Sequence, residues 1–138
     1  MPPSRHPHPI LFRAQPLRPE QADVCLDAAA RLAMAKGMVM LAWGGPPPEA
    51  APDGVTLSPL PPAWERADMP GLILDANGRP VDHAWKKRRA AALLALFAAM
   101  APRLIVLDMA APGFRFELEP LTQIARRRMP APEIRTLT

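Results

Sequence analysis

Apolar residues along this chain fall into short continuous runs separated by amphipathic stretches. Ile10-Leu11-Phe12 is one run, Met38-Val39-Met40-Leu41-Ala42-Trp43 a second and Leu104-Ile105-Val106-Leu107 another. Continuous runs of this length fit strands buried on both faces. Val55-Thr56-Leu57-Ser58-Pro59-Leu60 reads as a further strand, frayed where Pro59 offers no N–H. Glu133 to Thr138 reads as a last short strand.

Three stretches between the runs read as helices. The first starts near Pro19, carries Glu20 and Asp23 early and Lys36 late, and stops at Gly37. That is the expected polarity of a helix. Val24, Ala28, Leu32 and Ala35 would form its inward face, with Cys25 beside them as a small core residue. The second is capped by Asp82 and runs to about Met100, where Pro102 follows. Trp85, Arg89, Leu93, Leu96 and Met100 follow its helical spacing, with Phe97 alongside. The third spans Phe114 to Arg128, with Leu118, Leu121, Ile124 and Ala125 inward. Pro120 makes it either start there or begin earlier and bend. Asp75-Ala76-Asn77-Gly78 reads as a turn.

The order is therefore β-α-β-β-α-β-α-β. It predicts an α/β, Rossmann-like, doubly wound and mostly parallel sheet of about five strands with three main helices. Residues 1–9 read as a proline-rich tail and 10–138 as one domain. The 20 prolines bear on this picture, because eight of them fall in residues 46–70, which reads as an extended loop apart from the strand at Val55.

Ligands in such folds bind beyond the carboxyl ends of the strands. The loop after the first strand, Arg13 to Pro19, has no glycine, so a backbone phosphate cradle is not expected there. Gly44 and Gly45 would permit close approach of a ligand, or simply form a turn before Pro46-Pro47-Pro48. Asp108 would act as base or ligand, or would simply cap the next helix. Gly44, Gly45, Asp108 and Gly113 are thus candidate ligand-binding residues. His6 and His8 lack a third ligand nearby, and His83 sits in the first turn of a helix. No metal site, cofactor or catalytic set is expected.

Charge is uneven. Residues 1–82 carry seven Lys and Arg against nine Asp and Glu, whereas residues 83–138 carry ten against four. Lys86, Lys87, Arg88, Arg89 and Arg126, Arg127, Arg128 form the two basic clusters. They read as solvated helix faces, or as an interaction patch for an acidic protein partner or an anionic membrane surface. Nucleic acid is the least supported partner, since aromatic residues are few and no binding motif accompanies the charge. One cysteine rules out an internal disulfide framework, and no apolar run reaches a membrane span. The expectation is a cytoplasmic protein, with any place at the inner membrane reached through a partner.

The segment Val55 to Pro62, the stretch Asp75-Ala76-Asn77-Gly78-Arg79-Pro80-Val81-Asp82-His83-Ala84-Trp85-Lys86-Lys87-Arg88-Arg89 and the stretch Arg115-Phe116-Glu117-Leu118-Glu119-Pro120-Leu121-Thr122 follow one another in order. Together with a helix, a glycine and a strand ending at Gly44-Gly45, they resemble the amino-terminal half of bacterial GT-B glycosyltransferases, similar to the lipid II N-acetylglucosaminyltransferase. The resemblance covers residues 10–138. It departs from the family in two loops. The family's glycine-rich loop ending in His is replaced by Pro16 to Ala22, which retains only the preceding Gln15, so the resemblance adds Gln15 to the candidate ligand-binding residues; the loop from Asp108 to Gly113 is shorter and lacks aromatics. The family's carboxyl-terminal, nucleotide-sugar-binding domain has no counterpart in these residues. The resemblance therefore implies a degenerate, noncatalytic domain acting as a binding or assembly subunit of a larger complex. Its alternative is the acceptor-binding subunit of a split two-chain transferase.

Overall fold

Ile10 to Ala14 is buried at every position, as a strand must be when both its faces and both its edges are covered. In the computed structural model, which describes residues 9–137, this strand β1 (Ile10–Ala14) is the centre of a five-stranded sheet. Its neighbours are β2 (Val39–Trp43) on one side and β6 (Leu104–Asp108) on the other. The outer strands are β3 (Val55–Pro59) and β7 (Glu133–Leu137). The order is β3-β2-β1-β6-β7, and every pair is parallel. The α/β, doubly wound arrangement expected from the alternation is the one observed.

Helix α1 (Pro19–Lys36) covers one face, and α2 (His83–Met100) and α3 (Arg115–Arg126) cover the other. On the α1 face Phe12, Leu41 and Trp43 pack with Cys25 and Ala29. On the opposite face Leu11, Ala42, Ile105 and Leu107 pack with Leu93, Phe97, Leu118 and Leu121. Each fully buried large aliphatic side chain contributes about 1.5–3 kcal/mol relative to exposure.

Asp82 caps α2 by accepting from the Trp85 N–H at 2.8 Å. Gly37, at φ 109, ends α1 and donates its N–H to the Ala33 carbonyl, a backbone setting that favours glycine. The Asp75 to Gly78 turn is present, closed by the Gly78 N–H on the Asp75 carbonyl.

Three expectations need correction. Of the expected inward face of α1, Ala28 and Leu32 pack against the core beside the buried Cys25 and Ala29, whereas Val24 and Ala35 are exposed. Alanine on several sides of this helix blurs the phase of its apolar stripe. Ile124 of α3 is also exposed, and its place inward is taken by Glu117. Of the two starts left open for α3 the earlier is the one observed, at Arg115, so Pro120 lies inside the helix and removes the N–H that would reach the Phe116 carbonyl. The loop of residues 46–70 is less plain than expected. It contributes Trp64–Glu65 (β4), which pairs antiparallel with Ile73–Leu74 (β5) in a small separate ribbon.

Candidate functional site

The strand order reverses between β1 and β6, and the crevice beyond their carboxyl ends is where this architecture binds ligands. Five polar side chains meet there: Arg13, Gln15, Arg89, Asp108 and Glu117. All five are buried. They come from β1 and the residue after it, from α2, from the end of β6 and from α3.

Arg13 stands in a strand of otherwise apolar residues, and its alternation points it to the α2–α3 face. Its Nε donates to Glu117 Oε2 at 2.7 Å, and its Nη1 donates to the Asp108 carbonyl at 2.8 Å. Its Nη2 pairs with the same Glu117 carboxylate. Arg89 Nη2 donates to Gln15 Oε1 at 2.6 Å and to Glu117 Oε2 at 3.1 Å. Its Nη1 donates to the Pro61 carbonyl at 3.0 Å. Arg89 Nε lies 2.8 Å from Glu117 Oε1 but out of line for a hydrogen bond, so that contact acts as charge pairing alone. The ring of Phe114 stacks near both guanidinium groups, at 5.2 and 5.4 Å. Burial pulls the Arg89 pKa down and Glu117 pulls it back up. Arg89 remains a cation at neutral pH.

Asp108 is equally engaged, and it does not cap the next helix, whose N-cap is Phe114 with no side-chain cap bond. Its Oδ2 accepts from the Gln15 N–H at 3.1 Å, and its Oδ1 from the Ala110 N–H at 3.0 Å. The Cys25 thiol donates to Oδ2 at 3.5 Å. Burial first, and the Asp108 carboxylate second, push the Cys25 thiol up to about 12. A thiol so held is not a nucleophile at neutral pH. Gln15 spends its Nε2 on the Pro16 and Ala63 carbonyls, at 3.2 and 3.1 Å. The two cations and two carboxylates of the cluster cancel in formal charge.

The glycine pair after β2 has a structural explanation. A Cβ on Gly44 would stand 2.1 Å from Arg89 Nη2 and 2.5 Å from Gln15 Oε1. A Cβ on Gly45 would stand 2.6 Å from the Pro16 carbonyl oxygen. Close approach is required, but it is the protein's own side chains and backbone that approach. Gly113 is not drawn into the cluster: it is exposed, with open space around its Cα. Of the five candidate ligand-binding residues, the structure therefore brings together Gln15, Gly44 and Asp108, with Gly45 adjacent.

Sequence reasoning missed Arg13 and Glu117. One signal was available. A charged residue inside an apolar strand, and another one position from Leu118 on a core-facing helix stripe, would both be buried and would need each other.

The basic clusters are not one surface. Lys86, Lys87 and Arg88 lie in the first turns of α2, near the carboxyl ends of the strands, with Lys86 Nζ 5.6 Å from the Phe116 ring. Arg126, Arg127 and Arg128 end α3 at the opposite pole, where Arg128 lies over Phe97 near the end of α2. Arg89 belongs to neither patch. Assigning it to the exposed cluster is corrected by its zero exposure, because helical spacing from Trp85 to Leu93 turns it into the core.

Beside the cluster, on the other side of Gly44 and Gly45, an apolar groove of about 550 Å³ is walled by Leu17, Pro19, Leu26, Trp43, Pro46 and Trp64. Trp43 Nε1 donates to the Pro46 carbonyl at 2.7 Å and pins the proline run. Among the described residues no group of three or more His, Cys, Asp or Glu side chains is placed to hold a metal. His6 and His8 lie outside the described residues. Among the described residues no helix is long and apolar enough to cross a membrane.

No protein-family model matches this chain, and no curated protein matches it at a significant level.

Proposed function

We propose that this chain is a noncatalytic, glycosyltransferase-like domain that serves as a binding or assembly subunit of a larger protein complex. One observation carries the reading. At the crevice where a doubly wound enzyme presents its ligand-binding groups, Arg13, Gln15, Arg89, Asp108 and Glu117 spend their polar atoms on one another and on nearby backbone. The resemblance supports the same view in a specific way. Arg89 closes one of the two stretches that carry it and Glu117 lies in the other, and the two residues meet as a buried ion pair. At Arg89 and Glu117 those stretches act as scaffold.

The surface left for recognition is the exposed basic residues and the proline- and tryptophan-walled groove. The partner is a protein with an acidic face, and any contact with an anionic membrane is made through it. Capture of the protein under native conditions tests this. The expected result is a stoichiometric partner whose retention is lost when Lys86, Lys87 and Arg88, or Arg126, Arg127 and Arg128, are changed to Glu. A nucleotide-sugar-binding chain as that partner would favour the split-transferase alternative, and retention of no chain at all would overturn the proposal.

A further inference from the structure

The side of α1 that faces away from the sheet carries Glu20, Val24, Asp27, Arg31 and Met34, all exposed. Their spacing is four, three, four and three residues, the spacing of the contact positions between two packed helices, with two apolar and three charged side chains at those positions. They lie on the side opposite the buried Ala29. Two of them are large apolar side chains with no cover: Val24 is 63% exposed and Met34 88%. Among the described residues Asp27 and Arg31 pair only with each other, at 3.0 Å along the helix surface.

The seam is complementary to itself when reversed. Val24 and Met34 lie equally far on either side of Ala29, and so do Asp27 and Arg31. Acids Glu20, Asp23 and Asp27 occupy the first half of the helix, and bases Arg31 and Lys36 the second. A second α1 running antiparallel about a two-fold axis at Ala29 sets Val24 against the partner's Met34 and Asp27 against the partner's Arg31. Two-fold symmetry makes each contact twice. A foreign helix has no reason to match a pattern centred on one point of this helix, whereas a second copy matches it by construction.

We infer that the outer seam of α1 is the isologous interface of a homodimer of this chain. This inference is independent of the glycosyltransferase-like reading. The open groove beside the seam fits it. That groove, about 550 Å³, has Phe12, Val106 and Leu137 on its sheet side, and Val24, Asp27 and Arg31 on its helix side. A partner helix lying on the seam covers its mouth. The helix is 18 residues long, or about 27 Å. An interface of one such pair is at the small end of specific interfaces, so the dimer forms in a concentration-dependent way.

Sedimentation equilibrium over a concentration series of the full chain is the test. The expected mass rises from the 15.1 kDa monomer toward twice that value. Asp27→Arg alone sets Arg against Arg across the axis, and Arg31→Asp alone sets Asp against Asp, so each variant stays monomeric. Both side chains are exposed, so the helical circular dichroism of each variant matches wild type. An equimolar mixture of the two variants forms a heterodimer, because every cross-axis pair is again opposite in charge. A wild-type chain that is monomeric throughout overturns the inference. So does a dimer that either single variant leaves intact, or a mixture that fails to associate.

Discussion

Arg89 and Glu117 face each other inside the domain with neither side chain exposed, Nε 2.8 Å from Oε1 and Nη2 3.1 Å from Oε2. This pair joins α2 to α3, and through Arg13 and Gln15 it joins both helices to the central strand and its carboxyl end. A buried ion pair adds little compared with well-packed apolar residues, but losing one partner strands the other charge away from water.

Glu117→Gln tests that asymmetry. It keeps the side-chain shape and leaves two guanidinium groups without their counter-charge. The expected loss is about 3–5 kcal/mol, a large part of the roughly 5–15 kcal/mol that holds a domain folded. Urea unfolding followed by circular dichroism measures it. A loss below about 1 kcal/mol would show that the cluster is not the structural centre described above.

Gly44→Ala tests the close approach at the end of β2. The added methyl meets Arg89 Nη2 and Gln15 Oε1, both locked by their own hydrogen bonds. Overpacking of this kind costs about 1–3 kcal/mol, and the thermal midpoint falls accordingly. If Gly44 instead served a ligand, the variant would unfold like wild type.

The basic cluster at the start of α2 divides cleanly. Lys87 and Arg88 are exposed and Lys86 is half-buried against the Phe116 ring, so changing all three to Glu costs no more than about 0.5 kcal/mol at each exposed position and about 0.5–1 kcal/mol at Lys86. Adding Arg89→Glu to the same set places a carboxylate against Glu117 in the core and abolishes cooperative unfolding. The comparison of the triple and quadruple variants by thermal melting separates surface from scaffold.

Cys25 gives a prediction with a defined sign. Its thiol is raised from 9.0 to about 12 in the folded protein, burial being the largest cause. Between those values the unfolded chain loses the proton and the folded chain keeps it, so this group's contribution to stability is complete below pH 9 and declines as pH rises beyond it. Cys25→Ala removes that decline between about pH 9 and pH 10, read from urea unfolding at each pH. At neutral pH a thiol reagent labels wild type only as fast as the protein opens.

Most of the fold was legible because it is written in strong local signals. The apolar runs at Leu41 and Ile105, the Asp82 cap and the glycine at Gly37 each act within a few residues. The two-residue strands at Trp64 and Ile73 were not legible, since pairs so short carry no periodicity. The phase of α1 is legible only in part, because alanines on several of its sides give little contrast. At the site, Gly44 and Asp108 stand out by position in the architecture, and Gln15 through the family resemblance. What they do there was not readable, because it depends on Arg13, Arg89 and Glu117 arriving from distant parts of the chain. Arg89 shows the difficulty best. Its neighbours Lys86, Lys87 and Arg88 made it look like surface, and only the helical spacing to Trp85 and Leu93 argued otherwise.

In the proposed function the groups at the carboxyl ends of the strands hold the domain together and perform no chemistry. Glycosyl transfer by the natively purified protein, assayed with nucleotide sugars while every chain bound to it is identified by mass, is the decisive measurement. The expected result is a stoichiometric complex and no transfer. Transfer that stops when this chain is removed from the complex would contradict it.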